Sequence, residues 1–135
     1  MWDFRTGSLE KQLSQLHTSQ VSSVVTSPMS DRYLVSAGKD NTIKVVDLVN
    51  FETVQVLENP GLRCGGNKVV PCISPDDSAV ACGSNNGSIF MWSVRTGDLE
   101  HELKKHKNGV LACTWSPSSA MLASADQKGD VIIWD

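Results

Sequence analysis

The sequence predicts an all-β protein made of repeats, because a turn motif and a repeat ending both recur at a near-constant interval. The turn motif is Ser27-Pro28, Ser74-Pro75 and Ser116-Pro117. The repeat endings fall at positions 3, 47, 93 and 135, which are 44, 46 and 42 residues apart. A period of about 40–45 residues is typical of the four-stranded blade of a β-propeller. We therefore expect a partial β-propeller with three repeats of four-stranded antiparallel blades.

The repeats divide the chain into one unit, 1–135, with repeats at 4–47, 48–93 and 94–135 after the end of a preceding repeat at 1–3. Known propellers close with about 4–8 blades, so three blades do not make a ring. The sequence thus predicts that either the missing blades of a longer propeller or a second copy of the chain completes the structure.

Short runs of strand-forming residues alternate with turn residues inside each repeat and predict the strands in order. The first repeat predicts strands at 21–27, 33–38, 42–47 and 53–57. The second repeat predicts strands at 69–74, 79–83, 88–93 and 99–103, with the hairpin turn Asn86-Gly87 between two of them. The third repeat predicts strands at 110–116, 121–125 and 131–135.

Two segments are ambiguous between helix and strand. Leu9, Leu13 and Leu16 have helical spacing, as do Leu99 and Leu103 in part. Both segments lie between a repeat ending and the next His, where a blade requires its fourth strand, so we interpret both as outer strands. Residues 8–15 would then belong to a blade whose first three strands are absent. Pro71 falls in a predicted innermost strand, which is an edge and tolerates proline.

Composition excludes several classes of protein. With 40% hydrophobic and 20% charged residues the chain is not disordered, and no apolar run approaches the roughly 18 residues of a membrane span. A net charge of −3 argues against nucleic-acid binding. The four cysteines form no C-x-x-C pair, so we expect reduced thiols, no metal and no cofactor. These features favour a cytoplasmic protein.

The repeats resemble the WD-repeat family of β-propellers, whose members carry a His, a Ser or Thr, an Asp and a Trp in each blade. These four residues hydrogen-bond to one another and form a structural tetrad. In the first repeat His17, Ser36 and Asp40 match this pattern, and Val46 stands in the Trp position.

The other two repeats depart further from the tetrad. The third matches at His106, Ser124 and Trp134, while Lys128 occupies the Asp position between Asp126 and Asp130. The second keeps only Trp92, and the other three positions hold Cys64, Cys82 and Asn86. We therefore expect every blade to depend more on apolar packing than on its polar network.

A finer likeness is carried by the second repeat, in the runs 59–65, 74–76, 83–84, 87–89 and 92–94, and by Lys44-Val45-Val46-Asp47-Leu48 before it. These residues resemble the last blades of the C-terminal propeller in the autophagy-related protein 16 (16-like) family. The resemblance implies a scaffold that recruits the autophagy conjugation machinery, which lipidates ubiquitin-like proteins during autophagosome formation. It also implies recruitment to autophagic membranes through partners. The alternative is a general WD-repeat adaptor, such as a ubiquitin-ligase substrate receptor or an RNA-processing scaffold.

His17, Ser36 and Asp40 also have the composition of a nucleophilic triad. A hydrolase would need an exposed nucleophile on a strained turn, and no G-x-S-x-G motif is present. Because His106 and Ser124 repeat two of the three residues at the blade period, we expect these residues to be structural and the protein not to be an enzyme.

Partner binding is expected in loops, which carry function on rigid scaffolds. The turns at Lys39, Asn85 and Gln127 occupy equivalent positions in the three repeats, and an entry loop holds Arg63. The sequence predicts that these four residues lie along one rim and bind other proteins. The basic run 104–107 is interpreted as a solvated loop whose charge Glu100 and Glu102 offset.

Overall fold

The computed structural model describes residues 1–65 and 68–135, and its regular structure consists of β-strands in three antiparallel sheets. Blade one contains β1 (Val21–Thr26), β2 (Tyr33–Gly38), β3 (Ile43–Asp47) and β4 (Glu52–Leu57). Blade two contains β5 (Cys72–Ile73), β6 (Ala79–Gly83), β7 (Ser88–Ser93) and β8 (Leu99–Lys104). Blade three contains β9 (Val110–Trp115), β10 (Leu122–Asp126) and β11 (Val131–Trp134).

Each sheet pairs its strands in chain order, as successive hairpins require. The turn between the second and third strands has the same backbone in all three blades. Asn41, Gly87 and Gly129 occupy its equivalent position with φ of 61°, 88° and 99°. Left-handed backbone is readily adopted only by glycine and, less often, by Asn or Asp, which explains the residue types at this position. The all-β partial propeller predicted from the repeats is confirmed.

The blades pack face to face, and each interface has its own apolar core. Between blades one and two, Val35 and Val45 belong to the same buried cluster as Val80 and Trp92. Between blades two and three, the buried cluster contains Ala81, Ile89, Val110, Cys113 and Leu122. Blade two therefore has both of its faces covered, whereas blades one and three each have one covered face.

The backbone of blade two approaches blade three most closely at Gly83. A Cβ atom at this position would lie 2.5 Å from Val110 Cγ1 and 2.8 Å from Val110 O. The N–H of Val110 donates to Ser84 O at 3.0 Å beside this contact. The close approach requires the absence of a side chain at residue 83.

The outer face of blade three is apolar and exposed. Val131 and Ile133 are 66% and 60% exposed, while Trp134, on the other face of β11, packs against the core between blades two and three. In the described part of the chain, this sheet has three strands and no fourth strand pairs with β11.

One prediction about the amino-terminal segment is wrong. Residues 8–15 do not form an outer strand, because the only pairing there is an isolated antiparallel bridge between Trp2 and Leu9. A fourth strand needs a third strand as its partner, and only the short Trp2 segment is available. Trp2 is 67% exposed and does not belong to a blade core. The second ambiguous segment, by contrast, forms β8 as predicted.

The innermost strand of blade two is shorter than the predicted 69–74. β5 covers Cys72–Ile73, directly after Pro71, which has no N–H to donate to a ladder. Val70 instead makes a parallel bridge to Ala112 of blade three. No described segment forms a helix of the length and apolarity that crossing a membrane requires.

We expect Gly83→Ala to lower the free energy of unfolding by about 1–3 kcal/mol, because the added methyl overpacks the contact between blades two and three. Urea denaturation of the purified chain measures this change. Gly65→Ala is the matched control, since its nearest heavy atom, Lys39 O, lies at 3.9 Å. Equal losses in both variants would contradict a specific close approach at residue 83.

Candidate functional site: the blade tetrads and the loop rim

The tetrad of blade one joins the entry loop, the second strand and the following turn. His17 Nε2 lies 2.8 Å from Ser36 Oγ, and His17 Nδ1 lies 3.0 Å from Asp40 Oδ1. The N–H of Thr18 donates to Asp40 Oδ2 at 3.0 Å. Val46 is fully buried at the Trp position, so in this blade an apolar side chain replaces the fourth member of the network.

Asp40 is the charged member of this tetrad. Burial tends to raise its pKa, but hydrogen bonds from Thr42, Thr18 and His17 outweigh burial and lower the pKa of Asp40 to about 2. The carboxylate therefore stays ionised over the ordinary pH range and ties the turn to the entry loop.

Blade three contains a complete tetrad, and the expectation that Lys128 displaces its acid is wrong. His106 Nε2 lies 2.8 Å from Ser124 Oγ, and Trp134 Nε1 donates to the same oxygen at 2.8 Å. His106 Nδ1 lies 3.2 Å from Asp126 Oδ2, and both of these side chains are fully buried. Asp126 also accepts the N–H of Lys128 at 2.9 Å, so Lys128 contributes its backbone and not its side chain.

The acid comes from a different position of the turn in blades one and three. By repeat alignment Asp126 is equivalent to Gly38, two residues before Asp40. A Cβ at Gly38 would lie 2.3 Å from His17 Nδ1 and 2.4 Å from Asp40 Oδ1. The space beside the histidine thus holds one carboxylate. Asp126 supplies it in blade three. In blade one Asp40 supplies it, and the position equivalent to Asp126 must then be a glycine, Gly38, to leave room.

Blade two replaces most of the network with thiols. Its Trp92 is buried, and Nε1 of this residue has no hydrogen-bond partner among the described residues. Cys82 stands at the serine position that accepts the indole N–H in blade three. A hydrogen bond with Cys64 and burial raise the pKa of Cys82 well above its ordinary value, so this thiol remains protonated. Asn86 Nδ2 donates to Gly61 O at 2.9 Å and ties the turn to the entry loop.

Each blade has an entry loop, which is the segment before its first strand. The four residues predicted to bind partners lie where these loops meet the turns between the second and third strands: Lys39, Arg63, Asn85 and Gln127. We name this end of the blades the loop rim. In each blade the turn donates a backbone N–H to its entry loop: Lys39 to Gln20 O at 2.8 Å, Asn85 to Arg63 O at 2.9 Å, and Gln127 to Gly109 O at 3.0 Å. Lys39, Arg63 and Gln127 are exposed. Asn85 is half-buried, and its Oδ1 has no partner among the described residues.

The loop rim is continuous from blade to blade. The N–H of Cys64 in the second entry loop donates to Asn41 Oδ1 of the first turn at 2.8 Å. In the third entry loop, His106 O and Asn108 O face Gly87 of the second turn. The second and third entry loops therefore each bridge their own turn and the turn of the blade before them.

A family model confirms the repeats. The model for the WD domain, G-beta repeat, matches residues 8–47, 60–93 and 97–135. These matches cover most of the chain. The chain belongs to the WD-repeat family.

Relatives of this WD-repeat chain include autophagy proteins. It is 40% identical to Autophagy-related protein 16 of Arabidopsis thaliana over 134 residues, which cover 99% of the chain and 26% of that protein. It is 34% identical to Protein tipD of Dictyostelium discoideum over 137 residues, which cover 99% of the chain and 22% of tipD. The Periodic tryptophan protein 2 homolog of Dictyostelium discoideum is 35% identical over 88% of the chain and 13% of its own length. The chain thus spans about a quarter or less of these relatives.

Solved structures support the fold. U3-55K superposes with a TM-score of 0.75 at 22% identity, covering 87% of this chain and 36% of that one. The computationally designed Ika4 protein superposes with a TM-score of 0.68 at 24% identity, covering 87% and 67%. The resemblance to the autophagy-related protein 16 family is confirmed by sequence, and the propeller fold by structure.

The WD tetrads lack the geometry of a hydrolase. Ser36 is 1% exposed and Ser124 is 2% exposed, so neither hydroxyl reaches a substrate. Among residues 1–65 and 68–135, no three His, Cys, Asp or Glu side chains gather in a way that could hold a metal ion. WD propellers are generally non-catalytic scaffolds, and the buried serines agree with that role.

Substitutions at the serine position of the tetrad test the networks of blades two and three. Ser124→Ala should lower the free energy of unfolding by about 1–3 kcal/mol, because it orphans Trp134 Nε1 and His106 Nε2. Cys82→Ser should raise it by about 0.5–1.5 kcal/mol, because the hydroxyl gives Trp92 Nε1 an acceptor. Urea denaturation measures both changes. A loss for Cys82→Ser as large as that for Ser124→Ala would show that the geometry of blade three does not apply to blade two.

Acid should weaken the fold through Asp40. Its pKa is about 2 in the folded chain and about 3.9 when unfolded, so its stabilising contribution is present above pH 4 and is lost as pH falls through 2. Unfolding free energies at pH 5 and pH 2.5 should therefore differ less in Asp40→Asn than in the unmodified chain. Asp98→Asn, at an exposed turn residue, is the control. An unchanged pH dependence in Asp40→Asn would contradict this role.

Proposed function

We propose that this chain is a non-catalytic protein-interaction module of an autophagy-related protein 16-like subunit. In this role it recruits partners of the machinery that forms autophagosomes and lipidates ubiquitin-like proteins. The observation that carries the proposal is 40% identity to the Arabidopsis protein over 99% of the chain. The proposed location is the cytoplasm, with recruitment to autophagic membranes through partners.

Physical features of the chain support an interaction role. The tetrad side chains are buried and hydrogen-bonded to one another, so they stabilise blades and are withdrawn from ligands. The loop rim instead presents exposed side chains on a backbone that hydrogen bonds hold in place. A rigid scaffold with exposed loop residues is the usual arrangement of a binding surface.

The exposed outer face of blade three supports a second part of the proposal. Val131 and Ile133 form an apolar strip that needs cover from a neighbouring sheet. In the proposed subunit, further blades of the same propeller cover this face. A second copy of the chain is the other way to cover it.

A general WD-repeat adaptor is the second candidate function. The 35% identity to the Periodic tryptophan protein 2 homolog and the structural likeness to U3-55K favour it. The match to the autophagy protein is favoured because it covers 99% of the chain at 40% identity, against 88% at 35% for the Periodic tryptophan protein 2 homolog.

A segment exchange in the Arabidopsis relative tests the proposal. This chain replaces the matching segment of Autophagy-related protein 16, and quantitative mass spectrometry records which proteins co-purify with the chimera. We expect the chimera to retain the partners that are lost when the segment is deleted.

The matched control carries the corresponding segment of the Periodic tryptophan protein 2 homolog, which should not retain those partners. If both chimeras fold and retain the partners equally, or if neither does, the autophagy assignment fails and the general adaptor is favoured.

A further inference from the structure

The loop rim carries an excess of positive charge. Five exposed cations lie in its turns, its entry loops and the adjoining strand end: Lys39, Arg63, Lys105, Lys107 and Lys128. We name them the basic cluster. None of them forms an ion pair with an acid among the described residues.

Most acids at this end of the blades are already engaged inside the protein. The carboxylates of Asp40 and Asp126 are turned inward and hydrogen-bond to the tetrad histidines, where they keep their negative charge but are withdrawn from the surface. Glu102 accepts from Ser88 Oγ at 3.1 Å and pairs with Lys104 at 3.1 Å. Among the described residues of the rim, Glu58 and Asp130 are the exposed acids outside the pair of Glu102 with Lys104, so the five cations of the basic cluster outnumber the acids that a partner would meet.

Glu100 does not offset this charge, contrary to the interpretation of residues 104–107 from sequence. β8 runs from the opposite end of the blade toward the loop rim, and Glu100 is its second residue. Glu100 lines a depression with Tyr33 and Arg95 at that opposite end. Its carboxylate therefore acts on the other rim.

The opposite rim has the reverse charge. Its turns expose Asp31, Asp76 and Asp98, and the neighbouring Asp77 is half-buried. Of its cations, Arg32 pairs with Asp47 at 3.2 Å. Although the chain carries a net charge of −3, exposed cations thus outnumber exposed acids on the loop rim, and exposed acids outnumber exposed cations on the opposite rim.

We propose that the basic cluster on the loop rim docks an acidic segment of a partner protein. This inference rests on the proposed interaction function and names the chemistry of the partner. The cations extend over the turns and loops of all three blades, so an extended chain lying across the blades would meet them in succession. Complementary charge increases the rate of association and orients the partner, and added salt weakens both effects.

Two other anionic partners fit this rim less well. A membrane surface needs apolar side chains to insert, but the described residues of the turns and entry loops on the loop rim include no exposed large apolar side chain, whereas Met29, Val49 and Met121 are exposed on the opposite rim. Single-stranded nucleic acid needs aromatic stacking platforms. Trp92 is buried and Trp134 packs in the core between blades two and three, so the basic cluster includes no such platform.

Fluorescence anisotropy with the purified chain tests the proposal. The probes are a labelled decapeptide of glutamate, a decapeptide of lysine, a single-stranded uridine decamer, and vesicles containing phosphatidylserine. We expect the chain to bind the glutamate peptide at low salt, to bind the other three more weakly, and to lose at least tenfold in affinity between 20 and 200 mM salt.

Matched charge reversals locate the site. Lys105→Glu on the loop rim and Arg95→Glu on the opposite rim change the net charge equally, and both side chains are exposed. Lys105→Glu should weaken binding of the glutamate peptide at least fivefold, and Arg95→Glu should leave it within twofold. Circular dichroism checks that both variants remain folded.

Several results would overturn the proposal. These are no binding of the glutamate peptide, equal losses in the two variants, or tighter binding of the uridine decamer or the vesicles. The proposed function is tested separately by the segment exchange. If a chimera carrying Lys105→Glu still retains the autophagy partners, the scaffold role stands and the acidic character of the partner is wrong.

Discussion

Face-to-face burial of neighbouring sheets is the interaction on which the whole structure depends. A single twisted sheet cannot hide its apolar side chains, so each blade needs a neighbour. The effect is visible strand by strand: all five residues of β6 in the middle blade are buried, whereas β11 at the outer face alternates between exposed and half-buried residues. Residue 83 must be a glycine because this packing brings its backbone against Val110 of blade three and leaves no room for a Cβ atom.

The polar tetrads vary with the amount of apolar cover. Blade two, covered on both faces, keeps Trp92 but lacks the histidine and serine, and it leaves the buried indole N–H without a partner. An unsatisfied group of this kind costs about 1–3 kcal/mol, which extensive apolar burial offsets. Blade three has one covered face and retains the complete network of His106, Ser124, Asp126 and Trp134. Hydrogen bonds and burial therefore act as alternative ways of holding a blade together.

The limits of sequence prediction follow the range of the interactions involved. The bounds of β2, β6 and β7 agree with the predicted ranges because alternation and turn residues are local signals. Residues 8–15 were wrongly predicted as a strand, since a strand forms only where a partner strand is present. The role of Asp126 was missed because alignment compares positions along the chain, while the tetrad requires only a carboxylate beside the histidine. Its position two residues before the aligned site, at a place where Gly38 makes room in blade one, was the available signal.

The loop rim combines a fixed backbone with variable side chains. Lys39, Asn85 and Gln127 share one backbone hydrogen bond to their entry loops, yet their side chains differ in size and charge. Because the bond uses N–H and C=O groups, the fold constrains the position of each turn and places little constraint on the residue type. The buried tetrads show the opposite behaviour, since there a change of side chain changes the bonding itself. Stability and the proposed recognition thus use different atoms of the same turns, and a charged surface such as the basic cluster can change with little effect on the blades beneath it.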